Sequence, residues 1–209
     1  MSASNRYTCN NVSLPDFPEA DNPCWDKEPR GLLSDTVTGN TPFLLTEFRL
    51  LRSDTAGALF LRFKAEDDTV RSTFRLHEDC LYRQDVLEVF INEGDDMRRY
   101  REIEVSPYDM HFTAAVANLS PDDLKLDMDW DIPGFKTKTR FSKRENQTVS
   151  IWRIPYAAFT CSPKAGASWR FNAFRIDHSI RGVDLQAWQA TGIANFHIPE
   201  RFGYLDFEA

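Results

Sequence analysis

Apolar and polar positions along this chain alternate in twos far more often than they repeat at helical spacing. Over residues 86–92, Leu87, Val89 and Ile91 fall on one side and Glu88 on the other. Over residues 100–106, Ile103 and Val105 point one way, while Tyr100, Glu102, Glu104 and Ser106 point the other. Such alternation marks a half-buried strand, because successive side chains leave opposite faces of a sheet. The charged, glycine-containing stretch over residues 93–99 reads as the turn between the two strands. The pair is thus a hairpin with an apolar face for a core and an acidic face left open, and Tyr82 stands at its entrance.

Further strands are predicted over residues 43–52, 58–65, 110–118, 136–141, 149–155, 169–176 and 204–207. The connection over residues 66–80 is charged and long for a hairpin, a length at which loops often carry function. The acidic stretch over residues 120–135, which includes Trp130, predicts a short helix capped by Ser120 with Asp122 and Asp123 in its first turn. A helical turn is expected over residues 157–160, and Trp188 is placed in a loop. Residues 1–42 have weak periodicity and many Asn, Asp and Pro. They read as an irregular N-terminal wrap anchored by Phe17, Trp25, Leu32 and Leu33, ending in the turn signal Thr38-Gly39-Asn40-Thr41-Pro42. Many short strands without βαβ alternation predict an all-β fold. The architecture expected is a β-sandwich, two-sheeted in a jelly-roll-like or immunoglobulin-like way, over residues 43–209, with the wrap over 1–42 packed on it as part of one domain.

Composition supports that class. The 209 residues are 42% hydrophobic and 27% charged, and 16 Phe, 6 Tyr and 5 Trp suit a β-rich core. A formal charge of −7 argues against nucleic acid or an anionic membrane as primary partner, since both demand a basic surface. No apolar run has membrane-spanning length, and the first residues lack the basic and apolar regions of a signal peptide, so a cytosolic location is expected by default. Cys9, Cys24, Cys80 and Cys161 are widely spaced without a CxxC pair, which predicts buried free thiols and no zinc site. A Cys9–Cys24 bridge is the alternative in an exported protein.

Tyr82, Gln84-Asp85 and the VLEVFIN segment containing Glu88 resemble the aromatic-x-Q-D-x-V-E-I-F-I-D segment of family 9 carbohydrate-binding modules. The later WRFNAFRI, and Trp188 followed by Phe202-Gly203 in PERFG, are similar to the end of that family. The resemblance spans roughly residues 30–209. It implies a β-sandwich that binds the ends of glucan or xylan chains without catalysis, with calcium in a structural role only and no other cofactor. In that family two aromatic rings clamp a terminal sugar. Carried over, Tyr82 takes the place of one clamp ring, a Trp in the xylanase-type module, and Trp188 that of the second. Glu88 matches a carboxylate that receives sugar hydroxyls. Where the xylanase-type module has an arginine and an asparagine on the neighbouring strand, this chain carries Glu104 and Ser106. The physical roles are consistent: sugar C–H faces pack on aromatic rings, and a fixed carboxylate accepts hydroxyl hydrogens in charge-assisted bonds.

The plainer readings stand beside these. Glu88 could be a solvated strand residue paired with Arg101. Asn172 and Arg175 could serve the site, or Arg175 could be buried in an ion pair with Glu88 or Glu104. Trp25, Trp152 and Trp169 read as packing residues, and His197 as a structural hydrogen-bonding group. The acids Asp122, Asp123, Asp127, Asp129 and Asp131 could bind calcium, though a solvated acidic loop is the simpler reading. Two other functions compete with carbohydrate binding. One is a glycoside hydrolase using Glu88 and Glu104. The other is a haem-binding redox module of related fold, with axial ligands from Met97, Met110, His111 or His178.

Overall fold

The computed structural model describes residues 4–14, 17–77, 79–94, 96–120 and 123–208. In chain order its strands are β1 Arg6–Cys9, β2 Gly31–Leu32, β3 Ser34–Asp35, β4 Thr46–Ser53, β5 Ala58–Glu66, β6 Val86–Asn92 and β7 Arg99–Val105. There follow β8 His111–Ser120, β9 Asp123–Asp127, β10 Lys136–Ser142, β11 Gln147–Pro155, β12 Ser168–Ser179, β13 Gly182–Ala187 and β14 Gly203–Phe207. They form two sheets. The larger runs β1-β14-β12-β6-β7-β8-β9, with β13 beside β12 and β3 beside β13; the smaller runs β10-β11-β5-β4-β2. Pairing is antiparallel except between β1 and β14. No helix among the described residues is long and apolar enough to cross a membrane.

The two-residue alternation decides how the sheets meet. Leu87, Val89 and Ile91 of β6, Ile103 and Val105 of β7, and Phe171 and Ala173 of β12 form the inner face of the larger sheet. They pack on Phe48, Leu50, Leu59, Leu61, Phe63 and Trp152 of the smaller one. Burying a side chain of this size contributes about 1.5–3 kcal/mol, so this layer dominates the folding free energy. Buried Arg175 ties the sheets together at one end of the core. It donates to Thr46 Oγ1 at 3.1 Å and the Glu66 carbonyl at 2.7 Å, and pairs with Asp177 at 2.8 Å and Asp67 at 3.5 Å. Its partners are therefore not Glu88 or Glu104, which lie on the opposite face of the sheet.

Several local expectations are corrected. The stretch after Ser120 continues as β9, with Leu124 and Leu126 alternating with Lys125 and Asp127, and is not helical; Asp122 lies outside the described residues. Strand β13 has no counterpart in the predicted elements. The N-terminal segment contributes β1, β2 and β3 to sheet edges, so it is only partly irregular. Trp25, Leu14 and Phe17 cover the outer face of the smaller sheet against Leu51, Phe60 and Ile151. Leu33 enters the main core, whereas Leu32 is exposed and anchors nothing. The four thiols are free, Cys9 buried and Cys161 exposed rather than buried.

Trp188 belongs to the core. In the β12–β13 register Phe174 stands beside both Glu88 and Ala187, so Ala187 shares the outer face with Glu88. One residue further, the alternation turns Trp188 inward. Its ring meets Phe48 edge-on at 5.8 Å and Tyr7 at 6.3 Å, and Phe171 at 5.8 Å. Gly203 makes room for it: a β-carbon there would lie 2.5 Å from Trp188 Cζ3 and 2.7 Å from the Asn5 carbonyl. The Trp…Phe-Gly spacing is thus satisfied by packing. Trp188→Ala is expected to lower unfolding stability by about 3–5 kcal/mol, and Gly203→Ala by about 1–3 kcal/mol through overpacking. Urea denaturation checks both, and an unchanged midpoint in either would contradict this placement.

Candidate functional site

The outer face of the larger sheet carries the polar chemistry. In the β6–β7 register Glu88 lies directly opposite Glu104, and Glu102 follows Glu104 at two residues' distance on the same face. Core packing on the inner face holds all three carboxyls outward. They are nevertheless buried, at 2%, 3% and 0% exposure for Glu88, Glu102 and Glu104. Carboxylate oxygens of the three lie within 4.8 Å of one another. Glu88 Oε1, Glu102 Oε2 and both Glu104 oxygens have no hydrogen-bond partner. The face that the alternation suggests is open and acidic is therefore a desolvated acid cluster.

Aromatic packing explains the burial. On one side Phe90, Tyr100, Phe174, Phe196 and Phe202 form a satellite cluster; on the other, Leu81, Val86, Phe112 and Ala114 form a second. The loop after Trp188 is fastened over the first. Tyr100 Oη and His197 Nδ1 are hydrogen-bonded at 2.8 Å, the His197 ring stacks on Phe90 at 5.0 Å, and Asn118 Nδ2 donates to the His197 carbonyl at 2.9 Å. Burial pushes the His197 imidazole down to about 4, so it is neutral at physiological pH.

Between these clusters lies a cleft of about 410 Å³. Glu88 and Glu102 form its polar floor and the ring of Tyr82, from the turn Leu81–Arg83, lines one wall. Leu124 and Leu126 of β9 border it, as do Ile176 of β12, Leu185 of β13 and residues 194–197. Strands β9 and β13 stand five positions apart in the sheet, about 24 Å if it were flat. That both line one small cleft means the sheet curls around it. Tyr82 is 43% exposed, so its ring is available to a ligand.

The candidates divide cleanly. Tyr82 and Glu88 share the cleft, with Glu104 directly behind Glu88. Trp188 and Arg175 are on the core side of the same sheet. Asn172 is on the outer face but spent: its Nδ2 donates to the Gln189 carbonyl at 2.9 Å and its Oδ1 accepts from the Gln189 and Ala173 amides at 2.9 and 3.0 Å. It braces the loop that follows Trp188. Arg101 is not Glu88's partner either; it faces Glu93 at 3.8 Å and stacks on Trp130. Glu102 and the β9 leucines are the additions. Glu102 was legible, since it shares Glu104's parity, whereas Leu124 and Leu126 required the curl of the sheet. The acids Asp123, Asp127, Asp129 and Asp131 do not converge on one point; among the described residues the glutamate trio is the one group that does.

Electrostatics follow from the burial. Desolvation pushes Glu102 up to about 7, and desolvation followed by repulsion from the neighbouring carboxylates holds Glu88 and Glu104 well above the usual range. Asp177 is likewise raised to about 7 by burial, against the pull of Arg175. A carboxyl raised by folding keeps a proton that the unfolded chain releases above about pH 4.3. Unfolding then releases protons, and stability falls as pH rises through the folded-state values. In chelator-containing buffer the melting temperature should therefore decline between about pH 5 and about pH 8. Glu104→Gln, whose amide can donate to its two neighbours, should flatten part of that decline. At the upper end it should melt higher by roughly 4–8 °C, about 2 kcal/mol. A variant that melts lower there would contradict the crowding of acids.

Comparison with known proteins agrees with this architecture. No curated protein matches the sequence. Among solved structures, a candidate carbohydrate-binding protein from Bacteroides uniformis superposes with a TM-score of 0.76 at 18% identity, covering 97% of this chain and 99% of its own. A family 9 carbohydrate-binding module from Caldicellulosiruptor kristjanssonii in complex with glucose gives 0.70 at 18% identity, covering 98% and 96%. The same organism's module in complex with cellotriose gives 0.70 at 17%, covering 98% and 94%. These likenesses share the two-sheet β-sandwich. The family model for the carbohydrate family 9 binding domain-like group matches residues 19–208, nearly the whole chain, and the protein belongs to that family.

Proposed function

We propose that the protein binds carbohydrate without catalysis, and that the ligand is a sugar at the end of a glycan held in the cleft above Glu88 and Glu102. The observation that carries this reading is the meeting of one exposed aromatic ring, Tyr82, and unpartnered carboxyls in a single cleft of a family 9 domain. The cleft volume falls within the range typical of small-molecule sites, about 300–1,000 Å³. Tyr82 offers a face for sugar C–H groups, and the carboxyl floor offers oxygens to hydroxyls. Walls from β9, β13 and residues 194–197 favour a terminal residue over an extended chain. Because Trp188 is packed in the core, the recognition proposed uses one ring with apolar walls in place of a two-ring clamp.

A hydrolytic reading fits less well. Glycosidases place their two carboxyls about 5–5.5 Å or 6.5–9.5 Å apart on either side of the scissile bond. Here Glu88 and Glu104 sit side by side on neighbouring strands, and only Glu88 of the two lines the cleft, so they do not flank a bond held in it. The haem reading lacks a site: none of Met97, Met110, His111 and His178 lines the cleft.

Two relatives of the fold hold glucose and cellotriose, so gluco-configured sugars are the first probes. Titration calorimetry should detect binding of at least one glycan. Tyr82→Ala should weaken it by roughly five- to tenfold, about 1–1.4 kcal/mol, with little change in melting temperature because the ring is exposed. A broad glycan panel without a binder, or undiminished binding by Tyr82→Ala, would refute the reading.

A further inference from the structure

We propose that Glu88, Glu102 and Glu104 form a site for one hard divalent cation of the calcium type, with open coordination positions facing the cleft. The inference rests on the geometry of the trio and stands apart from the carbohydrate reading.

Two oxygens bound to one Ca²⁺ at about 2.3–2.6 Å cannot lie farther apart than about 5 Å. The trio meets that limit, with one oxygen from each carboxylate within 4.8 Å of the others. Three carboxylates at mono- or bidentate distance supply three to six of the roughly six to eight oxygens such an ion takes. The remaining positions open toward the cleft floor formed by Glu88 and Glu102, where water can enter.

The second observation is that, among the described residues, no basic group answers these carboxyls. Glu88 Oε1, Glu102 Oε2 and both Glu104 oxygens are buried and unpartnered. Of the nearby basic groups, Arg101 is turned to Glu93 and Trp130, and Arg175 is held by Asp67 and Asp177 behind the sheet. Like charges directly opposite on neighbouring strands destabilise a sheet, and burial without a partner adds to that cost. A bound cation reverses both effects at once. The donor set, carboxylate only, selects a hard ion over zinc or copper.

Calorimetry of the chelator-stripped full chain with CaCl₂ alone, at neutral pH, tests this together with the melting temperature. One equivalent should bind and the melting temperature should rise with calcium concentration, because a ligand of the native state stabilises it by mass action. Glu104→Gln and Glu88→Gln should each lower the calcium affinity by roughly tenfold or more, since ligand charge sets affinity in such sites. Both variants replace a buried acid with a neutral amide of the same shape and so should fold. Asp129→Asn, in the acidic turn after β9, should bind calcium as the parent does. The proposal is overturned if calcium gives neither heat nor a thermal shift, or if uptake survives Glu104→Gln. Loss of uptake in Asp129→Asn alone would equally overturn it. So would glucosamine binding to the metal-free trio in a manner abolished by Glu104→Gln, which would assign the trio to an ammonium group. Because no sugar is needed to see calcium uptake, failure here leaves the carbohydrate reading to its own test.

Discussion

The register between β6 and β7 is the constraint from which the rest of the outer face follows. Leu87, Val89, Ile103 and Val105 must face the smaller sheet, since that burial dominates the folding free energy. With a side-chain period of two, Glu88, Glu102 and Glu104 then have no choice but the opposite face, and pairing sets Glu88 against Glu104. Moving one strand by a single residue would exchange apolar and acidic faces, so the core and the acid cluster are fixed by the same pairing. The free energy of the core is what holds three acids in a position each would avoid alone.

What surrounds the trio gives that position its chemical character. Were the outer face solvated, the glutamates would be ordinary surface acids worth little. Instead the chain folds back after Trp188, and the Tyr100–His197 bond and the Phe90 and Phe174 rings dock residues 194–202 beside the carboxyls. Curling of the sheet brings β9 and β13 to the rim. The cleft is thus a consequence of tertiary closure by elements far apart in sequence. Asn172 contributes to it indirectly, by fixing the backbone at Gln189 where the returning loop begins.

Much of the fold was legible in local pattern. Strands β5, β6, β7, β11 and β12 are long enough, and alternate cleanly enough, that period alone located them. Strand β9 is hidden because Ser120 followed by acids imitates a helix start, while the decisive feature, Leu124 and Leu126 across from β8, is a tertiary pairing. The short β1–β3 are edge strands whose partners lie far away, so no local signal marks them. At the site, the parity of Glu88 and Glu104 was readable. The inward turn of Trp188 depended on the β12–β13 register, and β13 had no pattern strong enough to predict. A tryptophan in a polar neighbourhood, followed by a phenylalanine-glycine pair, reads equally well as a ligand ring or as a packed ring. Its contacts with Phe48, Phe171 and Gly203 separate the two. Whether an acidic face is open or buried is likewise settled by distant residues, here Tyr82, Phe196 and His197.

The central claim is that the cleft over the glutamate trio is where this family 9 domain takes its ligand. A crystal structure of the protein grown with calcium and cellotriose, or with the strongest binder from a glycan panel, tests it most directly. The result predicted is a terminal sugar ring against Tyr82, with its hydroxyls directed to the floor at Glu88 and Glu102. A sugar bound elsewhere, such as in the groove lined by Arg30, Glu47 and Trp188, with the cleft holding only water, would contradict it.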